Sequence, residues 1–251
     1  VIIDSHVHIG KTEKTERFWT FKGYAEFMEE IGIDKTVAMP NISSNLSSLE
    51  LNDNFLNEYT SLTKELQDKF ELLILLDTRD DPMKYLSNIK LDAVGIKYHP
   101  SVTRIPINDK CLDEFIDLTI DRKWYTLVHC GRDDISNIRY LIDIAKRKKH
   151  ARFVAAHLGG NAGDLVENAL NSINKNRVTN IYLDTSNGKL PWLISKAAEK
   201  IGKDKILFGS DEPYADVRVE KYIVELGEFQ ENIFSKNWMM LHNEIINSNW
   251  N

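Results

Sequence analysis

Five of the seven histidines in this 251-residue chain close apolar runs. The runs read VIIDSHVH, ending on His6 and His8, AVGIKYHP with His99, YTLVHC with His129, and RFVAAHLGG with His157. KILFGSD ends in the same way on Asp211. Histidine is the commonest metal ligand, and neutral imidazole nitrogen with carboxylate oxygen suits zinc, manganese or iron. Apolar runs with such ends, spread along the whole chain, are what a barrel of parallel strands produces when its strand ends converge on one metal ion.

His6 and His8 lie two apart, so both point to one side of the pleat. In a barrel that side is the interior, where two imidazoles are costly unless a metal or hydrogen bonds satisfy them. Asp4 shares that face, deeper in, and is expected to be an acceptor that orients a ligand. His129 and His157 together offer one more ligand and one unligated acid or base. Asp211 can bind the metal and accept a proton, or cap the helix that follows. Lys97 and His99 share an inward face. A lysine there is a substrate anchor or, once carbamylated, a bridge between two metals. Pro100 holds His99 extended and marks the strand end. Arg132, just beyond His129, is either a grip for an anionic substrate or a solvated loop residue, while Cys130 should face the core.

The elements that must position these residues alternate from end to end. Strands are expected at 1–8, 35–39, 70–76, 93–99, 125–129, 152–157, 180–184 and 205–209. Helices are expected near 22–31, 54–68, 82–88, 109–122, 134–148, 163–174, 191–201 and 216–226, with a last one over 235–247. Near-continuous apolar strands separated by helices imply a parallel sheet covered on its outer face. Eight such units in one chain of this length imply a TIM (β/α)8 barrel, a single domain over 1–251 with an extra C-terminal helix. Pro191 should open a helix, and Gly32 and Gly202 should close helices as left-handed caps. The serine- and asparagine-rich stretch 41–54 reads as a long loop. A doubly wound sheet would carry a G-x-G-x-x-G loop after its first strand, and IGKTEKTE is not one.

Composition narrows the function classes. A hydrophobic fraction of 42% and a charged fraction of 28% are those of a globular protein with an ample core. A net charge of -6 leaves no electrostatic footprint for nucleic acid. The basic cluster Lys146, Arg147, Lys148 and Lys149 ends a helical stretch, where cations complement the macrodipole. No apolar run reaches the roughly 18 residues of a membrane span. Two cysteines, Cys111 and Cys130, suit reduced thiols, and the start lacks a signal-peptide pattern, so a cytoplasmic setting is the default. The expected partner is a small-molecule substrate, with a homodimer left open.

The segments IDSHVHIG, VGIKYHP, TLVHCG, FVAAHLGG, IYLDTSNG and ILFGSDEP, in this order, resemble the amidohydrolase superfamily. The likeness is to its branch of amidohydrolase-related TIM barrels that also holds metal-dependent decarboxylases. The resemblance implies that His6, His8, His129 and Asp211 bind a divalent metal, most often one Zn2+, with Mn2+ or Fe2+ as alternatives. It also implies that His157 sits beside the metal-bound water, and that Asp211 accepts the proton in hydrolytic members. AVGIKYHP has no glutamate, unlike many two-metal members, which favours an unmodified Lys97 and one ion. The expected activity is hydrolysis of a C–O or C–N bond in a small, anionic substrate. The alternatives are non-oxidative decarboxylation of a small carboxylic acid, or a metal-binding barrel without catalysis.

Overall fold

The computed structural model describes residues 1–247 except 44, 78–82, 84, 85, 87, 88, 90–92 and 189. The strands are β1 (Ile3–Ile9), β2 (Lys35–Pro40), β3 (Phe70–Leu76), β4 (Gly95–Tyr98), β5 (Tyr125–Val128), β6 (Arg152–Ala155), β7 (Ile181–Asp184) and β8 (Ile206–Leu207). They pair in sequence order, each parallel to the next. The end of the sheet returns to its beginning. Ser5 N–H donates to Phe208 O, Asp211 N–H to His6 O, and His8 N–H to Glu212 O, each at 2.8 Å. Eight parallel strands thus form a nearly closed barrel with helices between them.

β8 is shorter than its apolar run. Past Leu207 the backbone turns to other partners, with Phe208 N–H on Ile233 O at 2.9 Å and Gly209 N–H on Thr185 Oγ1 at 3.3 Å. Glycine at 209 lets the strands approach closely, since a Cβ there would lie 3.0 Å from His6 Cβ and 3.1 Å from Asp184 Cβ, tighter than ordinary packing.

Side chains inside the barrel form an apolar floor and a polar ceiling. Leu73, Leu127, Val154, Tyr182 and Leu207 share a buried cluster with Trp238, Leu241 and Ile245. Those last three lie along one stripe of the helix Asn237–Asn247. Ile3, Val94 and Tyr125, at or just before the starts of their strands, join the same cluster. The C-terminal helix therefore seals the N-terminal end of the barrel. At the other end the inward positions are His6 and His8 of β1, Lys97 of β4 and Asp184 of β7, all buried.

The outer layer comprises the helices Phe21–Ile31, Ser48–Thr60, Asp113–Asp121, Ile138–Arg147, Gly163–Asn176, Pro191–Ile201 and Val217–Glu225. Three expectations are corrected. The stretch 41–54 is not all loop: Ser47 and Glu50 form a capping box that starts a helix at Ser48. The helix expected over 54–68 is consequently two, Ser48–Thr60 and Lys64–Gln67. Gly32 closes its helix in the left-handed region, but Gly202, at φ 113° and ψ 132°, does not. The helix expected over 82–88 lies largely outside the described residues.

Candidate metal centre

β1 carries His6 and His8 to the open end, where the Nε2 atom of each is 3.2 Å from Asp211 Oδ1. The ligand atoms of these three buried residues all lie within 4.8 Å of one another. Asp211 follows β8 in a left-handed conformation, φ 66°.

The tautomers follow from the hydrogen-bond partners. His6 Nδ1 lies 2.8 Å from Asp184 Oδ2. Burial opposes the charge of Asp184, but His6, His157 and Ser186 outweigh it and hold the carboxyl down to about 2. Ionised Asp184 can only accept, so His6 Nδ1 carries the proton. His8 Nδ1 faces Pro40 O at 3.3 Å, also an acceptor only. Both Nε2 atoms therefore present lone pairs to a carboxylate. Burial lowers both imidazoles, keeping them in the neutral form that metals bind. Three acceptor atoms meet and none of the three residues puts a proton between them, an arrangement that calls for a cation. Two imidazole nitrogens and a carboxylate oxygen form a donor set that fits a divalent ion.

Lys97 touches this group. Its Nζ lies 2.8 Å from His6 Nε2, so the ammonium donates to the lone pair that an ion would use. Burial pushes Lys97 down to about 8, against the pull of Asp211 and Asp184.

His157 lies two residues beyond β6 in a left-handed turn, φ 60°. Its backbone N–H donates to Asp184 Oδ1 at 2.9 Å. The ring sits 2.8 Å from Ser186 Oγ through Nδ1 and 3.1 Å from His129 Nδ1 through Nε2. His129 in turn stacks on His99, with ring centroids 3.9 Å apart at 10°. His129, expected beside His6 and His8, thus stands with His157 and His99, outside the three-residue group. β5 is flanked by β4 and β6, and His99 and His157 follow the ends of those two strands. Burial lowers the pKa of His157, and it sets His99 and His129 well below the ordinary value, with neighbouring positive charge adding to the effect.

Asp4 does not orient a ligand ring. Its Oδ1 accepts the backbone N–H of His6 at 3.1 Å and of Ser210 at 2.9 Å, which ties β1 to the segment after β8. Asp184 is the acceptor that orients the His6 ring. IYLD, an apolar run ending in a carboxylate, carried the same signal as KILFGSD and could have revealed it.

A cavity of about 280 Å³ opens over these residues, with Lys97, His99, His129, His157 and Asp211 in its wall. Lys14, Asn161, Asn187 and Tyr214 line it too. These four come from loops, where no periodicity singles them out. Arg132, expected to meet substrate, is exposed and is not among the lining residues. Asn161 and Asn187 adopt positive φ, 56° and 53°, as do His157 and Asp211. Left-handed backbone at four residues of one cavity is strain of the kind that clusters at functional sites.

No curated protein matches the chain. Solved structures do match it, at identities that show likeness of fold. One is a probable 2-pyrone-4,6-dicarboxylic acid hydrolase from Acinetobacter baumannii with citric acid bound. It is 17% identical, with a TM-score of 0.69 over 96% of this chain and 99% of that one. An amidohydrolase from Burkholderia multivorans with bound zinc is 12% identical, with a TM-score of 0.72 over 96% and 99%. A dihydroxybenzoic acid decarboxylase from a Polaromonas species, with manganese and the inhibitor 2-nitroresorcinol, is 13% identical, with a TM-score of 0.72 over 97% of each chain. The family model described as amidohydrolase matches residues 87–231, more than half of the sequence, and the chain belongs to that family.

Proposed function

We propose that the chain hydrolyses a C–O or C–N bond of a small anionic molecule with the help of one divalent ion, most simply Zn2+, held by His6, His8 and Asp211. The observation that carries this reading is the meeting of two imidazole lone pairs and a carboxylate oxygen, with no proton supplied by the three residues themselves. When bound, such an ion polarises a carbonyl oxygen and lowers the pKa of water.

The chain's own groups handle the protons and the substrate charge. Ser186 Oγ donates to Asp184 Oδ1, so His157 Nδ1 must be the donor to Ser186. That leaves His157 Nε2 as the basic atom, turned towards His129 in the cavity wall. A proton taken up there makes an imidazolium that Asp184 stabilises through Ser186. His129 shares that proton through its 3.1 Å contact with His157, which makes the pair a relay. Lys14 and Lys97 place two cations against the single carboxylate of Asp211 on a wall whose imidazoles are neutral, so the net charge of the cavity favours an anion. Citric acid in the Acinetobacter protein is consistent with that substrate class.

The test is a turnover screen of the Zn2+- and Mn2+-loaded protein against lactones, amides and aromatic carboxylic acids. Bond cleavage with uptake of water is expected. Release of CO2 from an aromatic acid would replace hydrolysis with decarboxylation by the same residues.

A further inference from the structure

One short turn orients side chains that belong to three other strand ends. Asp184, the last residue of β7, holds the His6 ring of β1 through Oδ2 at 2.8 Å. Ser186 meets His157, beyond β6, at 2.8 Å. Asn187 Nδ2 donates to Asp211 Oδ2, beyond β8, at 2.9 Å. The turn is itself pinned, with Thr185 N–H on Leu207 O at 3.0 Å and Gly188 N–H on Thr185 O at 2.9 Å. Asn187 takes the left-handed conformation at its apex, φ 53°, which asparagine tolerates better than most residues.

Asp211 has two oxygens of different use. Oδ1 is 3.2 Å from both imidazole Nε2 atoms, while Oδ2 accepts the Asn187 amide. Turning the carboxylate out of this plane would break the hydrogen bond from the Asn187 amide, so that bond fixes the plane in which one oxygen faces the histidines. We propose that Asn187 is a positioning residue that holds the plane of the Asp211 carboxylate so that one oxygen stays turned towards His6 and His8. This rests on the reading of His6, His8 and Asp211 as a metal site. Asn187 acts through Asp211 and does not itself hold the ion. A bond of this kind, from an outer side chain to a metal-binding carboxylate, typically changes metal affinity about 10–100-fold when removed.

The experiment measures Zn2+ affinity of metal-free wild type and Asn187→Gly by competition with a chromophoric chelator, alongside the thermal midpoint of each metal-free protein. Glycine keeps the left-handed turn and removes only the amide. The variant should bind Zn2+ about 10–100-fold more weakly at an unchanged midpoint. Asn187→Ala, which restricts the turn instead of loosening it, should lose affinity to the same extent. Wild-type affinity in Asn187→Gly overturns the proposal. So does weaker binding that comes only with a lowered midpoint, since Asn187 would then serve the fold alone. A wild-type protein that binds no Zn2+ rejects the metal site itself, a result distinct from both.

Discussion

Asp184 Oδ2 and His6 Nδ1 lie 2.8 Å apart with both side chains fully buried. The two residues stand 178 positions apart in the chain. Their contact decides which imidazole nitrogen keeps its lone pair for the ion. Replacing Asp184 with asparagine removes the negative charge that makes His6 a strong donor. Asp184→Asn should weaken Zn2+ binding about 10–100-fold, read by chelator competition. Unchanged affinity would show that the Asp184 charge does not tune His6.

His157 is expected to serve turnover without holding the ion. Its Nε2 faces His129 rather than the His6–His8–Asp211 group. His157→Asn should lower kcat by about 10²–10⁴-fold while metal content, measured by mass spectrometry of the digested protein, stays that of wild type. Loss of the metal together with turnover would make His157 a ligand.

Lys97 tests whether one ion or two are bound. An ammonium 2.8 Å from His6 Nε2 repels a second cation and needs an anion nearby. A crystal structure of the Zn2+-loaded protein should show one ion and a plain amine on Lys97. Density for a carboxyl group on Nζ between two ions about 3.5–4 Å apart would replace this with a two-metal site.

Glu220 gives the stability a pH dependence. It is buried, its Oε2 has no hydrogen-bond partner among the described residues, and burial pushes its pKa from 4.5 to about 8. Between those values the folded chain keeps a proton that the unfolded chain has released, so this contribution is full below pH 4.5 and lost as pH rises through about 8. Glu220→Gln cannot ionise. It should raise the thermal midpoint at pH 9 by roughly 5 °C, corresponding to about 2 kcal/mol, and leave it unchanged at pH 4. An equal midpoint shift at both values would mean that ionisation of Glu220 is not the cause.

The order of the elements was legible because each buried strand is a short apolar run and each covering helix repeats at 3.6 residues. Phe70–Leu76 and Pro191–Ile201 match their expected bounds residue for residue. The helix start at Ser48 was also written in the sequence, as S-x-x-E, but the polar composition of 41–54 hid it. His6 and His8 could be paired from sequence because a two-residue spacing on one strand needs no knowledge of any other strand.

What lies across strands was not legible. The sequence by itself determined a parallel barrel and a supply of imidazole and carboxylate at its strand ends. Tertiary structure alone decided that His129 turns to His157 and His99, that Lys14 and not Arg132 lines the cavity, and that the turn after β7 orients residues from β1, β6 and β8. Local pattern reports which face of its own strand a residue occupies. Which strand ends meet depends on how the barrel closes, and closure is made by bonds such as Asp211 N–H to His6 O, between residues with no sequence proximity.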